Sequence, residues 1–220
     1  MPGKYDLVCF DMDGTLTAVK STWSWVHDCL GTDNSEGYEA FVNQRISEEE
    51  FRNTDIGMWK KARPDIGRKD LIGFFQRIPL VEGIQETVTA LNDRGMTCVI
   101  VSGGVDLAAE MIANEFGFSD WVCDKIEIAE DGSLAGSRKV VDLFDKGSWV
   151  REFCRKYDTV PERTVSIGNS FSDTSMFKIT GLSIAFNPVD EYTASAAQHV
   201  IRSGNISDVL DIVFGKSQTD

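Results

Sequence analysis

Long apolar runs are missing from this 220-residue sequence. Nowhere do about 18 uninterrupted apolar residues occur, so no membrane-spanning helix is expected, and the apolar part of MPGKYDLVCF is too short for a signal peptide. Blocks of basic residues are missing too. Lys and Arg total 22 against 35 Asp and Glu, a net charge of -13, which excludes a general nucleic-acid binder. An anionic small molecule would need a local positive site. No CxxC pair is present, and Cys9, Cys29, Cys98, Cys123 and Cys154 are odd in number and scattered. That pattern argues against zinc or a redox motif and for a reducing cytoplasm. Histidine occurs only twice, so His27, on an apolar helix face, reads as structural rather than as a metal ligand. Internal repeats and low-complexity tracts are also absent.

What remains is an ordinary globular composition, 42% hydrophobic, enough for one core with a smaller inserted module. Buried-strand patterns cover residues 5–10, 97–101, 164–167 and 182–186, each followed by glycine or small polar residues. Helical patterns lie between them, including 84–93 closed by Gly95, 107–116 closed by Gly117, and 149–157. Alternation of strand and helix predicts an α/β fold with a Rossmann-like parallel sheet flanked by helices. Around Asp131-Gly132 the run KIEIAEDGSLAG predicts a β-hairpin flap. Residues 15–80 break the alternation. Ser21 or Thr22 can cap a helix with Trp23, Val26, His27 and Leu30 on one face, and Ser47 opens a capping box toward Trp59. The expected organisation is therefore a core of residues 1–14 and 81–220 carrying a small inserted helical cap at 15–80.

Ligands of parallel α/β sheets bind beyond the carboxyl ends of the strands. Four short sequences fall there: Asp11-Met12-Asp13-Gly14, Ser102-Gly103-Gly104, Lys146 at a helix start, and Gly168-Asn169-Ser170-Phe171-Ser172-Asp173. Each alone is an unremarkable turn or a solvated lysine. Together they supply two carboxylates, a hydroxyl with backbone N–H groups, an ammonium and a second oxygen-rich loop. That inventory suits phosphoryl transfer with a hard cation. Asp11 would attack phosphorus and Asp13, with a raised pKa, would protonate the departing oxygen.

The four sequences, DMDGTLT, VSGG, Lys146 and GNSFSD, resemble in order the motifs of the haloacid dehalogenase superfamily, in its phosphoserine phosphatase-like branch. The resemblance spans nearly the whole core, and it places a cap just after the first motif. It implies an aspartyl-phosphate on Asp11 and general acid–base work by Asp13. It also implies phosphate binding by Ser102, Gly103 and Lys146, and Mg²⁺ held by Asp11, the Asp13 carbonyl, Asn169 and Asp173. The chemistry expected is Mg²⁺-dependent hydrolysis of a small phosphorylated metabolite.

Two departures stand out. Relatives commonly carry aspartate where this chain has Asn169, which points to a weaker but working Mg²⁺ site. Lys20 stands where phosphoserine phosphatases usually place an acidic residue, and Arg52 comes earlier than their cap arginine, so phosphoserine itself is doubtful. Lys20, Trp23, Arg52, Asp55 and Trp59 are the candidates for the cap side of the pocket, although tryptophans at helical spacing are more often core. The sequence leaves open a phosphotransferase with the same intermediate. A retired phosphate-binding protein, which Asn169 would favour, sits badly with retention of both motif aspartates. Oligomeric state is not legible.

Overall fold

The computed structural model describes residues 3–215. In chain order the elements are β1 (Leu7–Phe10), α1 (Thr22–Leu30), α2 (Ser35–Val42), α3 (Glu48–Ala62), α4 (Arg68–Phe75), α5 (Ile84–Asn92), β2 (Thr97–Val105), α6 (Asp106–Phe116), β3 (Asp120–Ile128), β4 (Leu134–Arg138), α7 (Lys146–Lys156), β5 (Thr164–Gly168), α8 (Thr174–Phe177), β6 (Leu182–Phe186), α9 (Glu191–Ala196), β7 (His199–Ile201) and α10 (Val209–Val213). The strands form one seven-stranded sheet in the order β4-β3-β2-β1-β5-β6-β7. All neighbours are parallel except β3 and β4.

Strand β1 sits centrally because all four of its residues are apolar and buried, with β2 on one side and β5 on the other. A strand covered on both faces has no need of alternation. Phe10 and Ile100 pack in a core cluster with Leu91, Ile112, Ile167 and Phe186, while Leu7, Cys9 and Val99 pack in another against Val150 and Phe153 of α7.

The hairpin is present, but it is continuous with the sheet. The first half of β3 pairs with β2 and its second half, from Lys125 to Ile128, pairs with β4. The same continuity corrects the reading of Ser102-Gly103-Gly104 as a loop. Strand β2 runs through to Val105, which pairs with Asp124, and the register shifts between Val101 and Val105. Two glycines imitate a turn in sequence, yet here they mark an irregular stretch of strand where another chain segment comes close. Strand β7, three residues long at the sheet edge and largely exposed, has no sequence pattern strong enough to announce it.

Between β1 and α5 lie the four helices α1–α4. Ser21 caps α1 by accepting from the Ser24 N–H, and Gly31 closes it in the left-handed region. Ser47 and Glu50 form the expected capping box on α3. These helices are tied to the hairpin by the Arg68 N–H on the Gly132 carbonyl at 3.1 Å and the Leu134 N–H on the Ile66 carbonyl at 2.9 Å, and to α6 by the Arg68–Glu110 ion pair at 2.7 Å. Among the described residues no helix is long and apolar enough to cross a membrane, and no cysteine is in a disulfide.

Candidate active site

Beyond Phe10 the chain turns sharply, and the Met12 carbonyl accepts from the N–H groups of Thr15, Leu16 and Thr17. Gly14, at φ 77, makes this turn, and a Cβ there would lie 2.1 Å from Asn169 Nδ2. Only glycine brings the first motif that close to the loop after β5. Asp11 is buried, and its own N–H donates to the Ile167 carbonyl at 2.8 Å.

Lys146, the first residue of α7, is also buried. Its Nζ lies 2.7 Å from Asp11 Oδ1 and 2.7 Å from Asp173 Oδ1. Burial works against the ammonium, but Asp11 and Asp173 outweigh it and hold its pKa above the ordinary lysine value. Burial and the negative charge of Asp173 push Asp11 up to about 6, with Lys146 opposing them. The Lys146 ammonium thus favours the ionised form of Asp11.

Asp13 is held differently. Its Oδ2 accepts from the Thr22 N–H at 2.9 Å and the Thr22 hydroxyl at 3.1 Å, while its Oδ1 is buried and has no hydrogen-bond partner. Burial pushes Asp13 up to about 7, against the two Thr22 hydrogen bonds. Two carboxyls two positions apart thus lie in different environments, one against an ammonium and the other against neutral donors.

Asp173 Oδ2 accepts from the N–H groups of Asn169 and Ser170, both at 2.9 Å, and its Oδ1 is bonded to Lys146. Both oxygens thereby help to shape the loop and orient the lysine. Asn169 Oδ1, in contrast, is buried without a partner. A hard cation such as Mg²⁺ prefers oxygen donors, and the Asp11 carboxylate with the unpartnered Asn169 oxygen suits one. Among the described residues no group of three His, Cys, Asp or Glu could hold a metal. A site here would accordingly lean on amide and backbone oxygens.

Ser102 Oγ accepts the Gly104 N–H at 3.1 Å, which leaves its own proton to donate elsewhere. The Gly103 carbonyl accepts from Trp23 Nε1 at 3.1 Å, so Trp23 reaches the second motif directly. The other cap-side candidates are disposed otherwise. Trp59 is fully buried behind Trp23, stacked with it at 5.5 Å between ring centroids. Asp55 accepts from Asn34 Nδ2 at 2.6 Å and pairs with His27 Nε2 at 2.9 Å; His27 Nδ1 in turn lies 2.7 Å from Thr32 Oγ1, which makes this histidine structural. Arg52 is buried against Glu48 at 2.6 Å and Asp124 at 3.6 Å. Lys20 is exposed.

Thr22 is the residue that sequence reasoning passed over. In sequence it offers itself only as a helix cap, yet Ser21 does the capping and leaves a buried hydroxyl free for Asp13. A threonine made redundant as a cap was the available signal.

A profile of haloacid dehalogenase-like hydrolases matches residues 8–178. The chain belongs to that family. Within the haloacid dehalogenase-like hydrolases it is similar to a phosphoserine phosphatase from Idiomarina loihiensis, 29% identical over 93% of this chain and 91% of that protein. It is also similar to phosphoserine phosphatases from Archaeoglobus fulgidus, 29% identical over 82% of the chain, and Methanocaldococcus jannaschii, 27% identical over 84% of the chain and 87% of that protein. The match spans about half of the Archaeoglobus protein, 52% of its length. Among solved structures, a phospho-aspartyl intermediate analogue of phosphoserine phosphatase superimposes with a TM-score of 0.78 at 22% identity, covering 94% of this chain and 98% of that one. A haloacid dehalogenase family hydrolase from Salmonella enterica serovar Typhi superimposes at 0.84 with 16% identity, covering 100% and 73%. At such identities the superpositions show a shared fold.

Proposed function

We propose that this member of the haloacid dehalogenase-like hydrolases is a Mg²⁺-dependent phosphatase that hydrolyses a small phosphorylated metabolite through a phosphorylated Asp11. The observation carrying the proposal is the buried Asp11–Lys146–Asp173 arrangement, two carboxylates at 2.7 Å from one ammonium, with an Asp13 oxygen left unpaired two residues from Asp11. Phosphatase names among the relatives support it.

Asp11 attacks phosphorus. Asp13 gives a proton to the departing oxygen, then takes one from the water that cleaves the aspartyl-phosphate. Ser102 and the Gly103 N–H hold phosphate oxygens, and Lys146 balances nucleophile and phosphate charge. Mg²⁺, when bound by Asp11, the Asp13 carbonyl and Asn169, supplies charge neutralisation on the phosphoryl group. Asp173 holds the loop and the lysine. The helices α1–α4 act as a cap over the strand ends, and the unpaired cysteines accord with a cytoplasmic setting.

Phosphoserine is the substrate in the relatives' names, and a cation is one group that would bind its carboxylate. The buried cations among the described residues are Arg52 and Lys146, and both are paired internally. The substrate proposed is a small phosphate monoester. A screen of such esters with Mg²⁺, run on wild type beside Asp11→Asn, tests it. Hydrolysis by wild type alone, with a Mg²⁺-dependent beryllofluoride adduct at Asp11, is expected; activity surviving Asp11→Asn overturns the mechanism.

A further inference from the structure

We propose that Thr22 is a positioning residue for the general acid, binding one oxygen of Asp13 so that the other carries the catalytic proton. The inference rests on the phosphatase reading above and extends it to a residue outside the four motifs.

Thr22 is fully buried. The Val105 N–H donates to its Oγ1 at 2.9 Å. A hydroxyl has one proton, and with a backbone donor already on its oxygen that proton is directed to Asp13 Oδ2 at 3.1 Å. The Thr22 N–H reaches the same Oδ2 at 2.9 Å. Two donors thus converge on Oδ2 and none on Oδ1, which is buried and unpartnered. A proton placed on Oδ2 would meet two N–H or O–H donors, so the protonated acid carries its hydrogen on Oδ1. When the bond from phosphorus to the leaving oxygen breaks and the Asp11 oxygen bonds to phosphorus, that Oδ1 proton passes to the leaving oxygen, which departs as a neutral alcohol. Asp13 then takes a proton back at Oδ1 from the water that releases phosphate.

The same contacts make this aim depend on how the cap is seated. Thr22 is the first residue of α1, whereas Val105 ends β2, so the relay from Val105 to Thr22 to Asp13 exists only where α1 rests on the sheet. Gly104 makes room for it: a Cβ there would lie 2.6 Å from Thr22 Oγ1 and 2.8 Å from Asp13 Oδ2.

The test compares kcat/KM for phenyl phosphate and p-nitrophenyl phosphate in wild type, Thr22→Val and Thr22→Ser, with folding checked by circular dichroism and melting. Phenolate leaves poorly without a proton and p-nitrophenolate leaves readily. General acid catalysis contributes roughly 10²–10⁴-fold, so misaiming the acid should cost about tenfold more on phenyl phosphate than on p-nitrophenyl phosphate. Thr22→Val should show that widening, and Thr22→Ser, which keeps the hydroxyl, should retain the wild-type ratio. Where valine disturbs folding, Thr22→Ala enters the same comparison. An equal loss on both esters, no loss, or a serine variant matching the valine one overturns the role of Thr22 while leaving the phosphatase reading intact. Failure of wild type to hydrolyse either ester or to form the beryllofluoride adduct overturns the phosphatase reading, and this inference with it.

Discussion

Replacing Arg52 by methionine separates two roles for the cap arginine, one structural and one in substrate binding. The guanidinium is buried between Glu48, at 2.6 Å and partly exposed, and Asp124, at 3.6 Å and buried. Methionine keeps much of the apolar stem and removes the charge. Breaking a buried ion pair costs roughly 3–5 kcal/mol, because one partner is left uncompensated. Asp124 Oδ1 retains the Val140 and Val141 N–H groups at 2.7 and 3.0 Å, which places the loss at the low end. The expected destabilisation is about 3 kcal/mol, a fall of about 6–12 °C in Tm for a chain of this size. Its pH dependence has a definite sign. Burial raises the Asp124 pKa, against the two N–H groups and Arg52. A raised carboxyl contributes stability below its unfolded pKa and loses it as pH rises through the folded one. Without Arg52 the pKa rises further, so the loss is larger at pH 8 than at pH 5, and Asp124→Asn in the same background recovers most of it. Urea unfolding at both pH values, beside KM for phosphoserine and p-nitrophenyl phosphate, measures all of this. A loss under about 1 kcal/mol, the scale of an exposed ion pair, with a tenfold rise in KM for phosphoserine would refute the reasoning and hand Arg52 to the substrate.

Two other substitutions probe the loop after β5. Asn169→Asp adds a negative charge beside Asp11 where the amide now leaves its Oδ1 unpartnered, and should bind Mg²⁺ more tightly in a calorimetric titration; equal or weaker binding would contradict the placement of Asn169 at the cation. Gly14→Ala puts a Cβ at positive φ and 2.1 Å from Asn169 Nδ2. It should cost more than about 1 kcal/mol in denaturant melts and weaken Mg²⁺ binding at the same time, and an unchanged Mg²⁺ affinity would show that Asn169 does not depend on this contact.

Most of the sheet was legible because a strand buried on both faces is written as a mostly apolar run: LVCF, TVSIG and LSIAF are fully buried. The hairpin was equally readable from Asp131-Gly132. What escaped was set by partners distant in the chain. Ser102-Gly103-Gly104 reads as a turn, and it becomes strand only through the Val105–Asp124 pairing. The site divides in the same way. The residues of the four motifs could be picked out because each motif is short and local, whereas Thr22 meets Asp13 nine positions away and Val105 83 positions away, separations that no periodicity encodes. Arg52 stands out in sequence for its charge, but its commitment to Asp124, in the middle of β3 and 72 positions away, is visible only in the folded chain.

The central place of β1 has a consequence for synthesis. This strand leaves the ribosome before both of its neighbours, Thr97–Val105 and Thr164–Gly168. Four apolar residues, and the Asp11 that follows them, therefore wait for the strands that will cover them, while α1–α4 emerge in between. A nascent chain stalled before residue 164 holds Asp11 but has neither β5 nor the Asn169–Asp173 loop to complete its surroundings, so these groups come together only after that loop has been made.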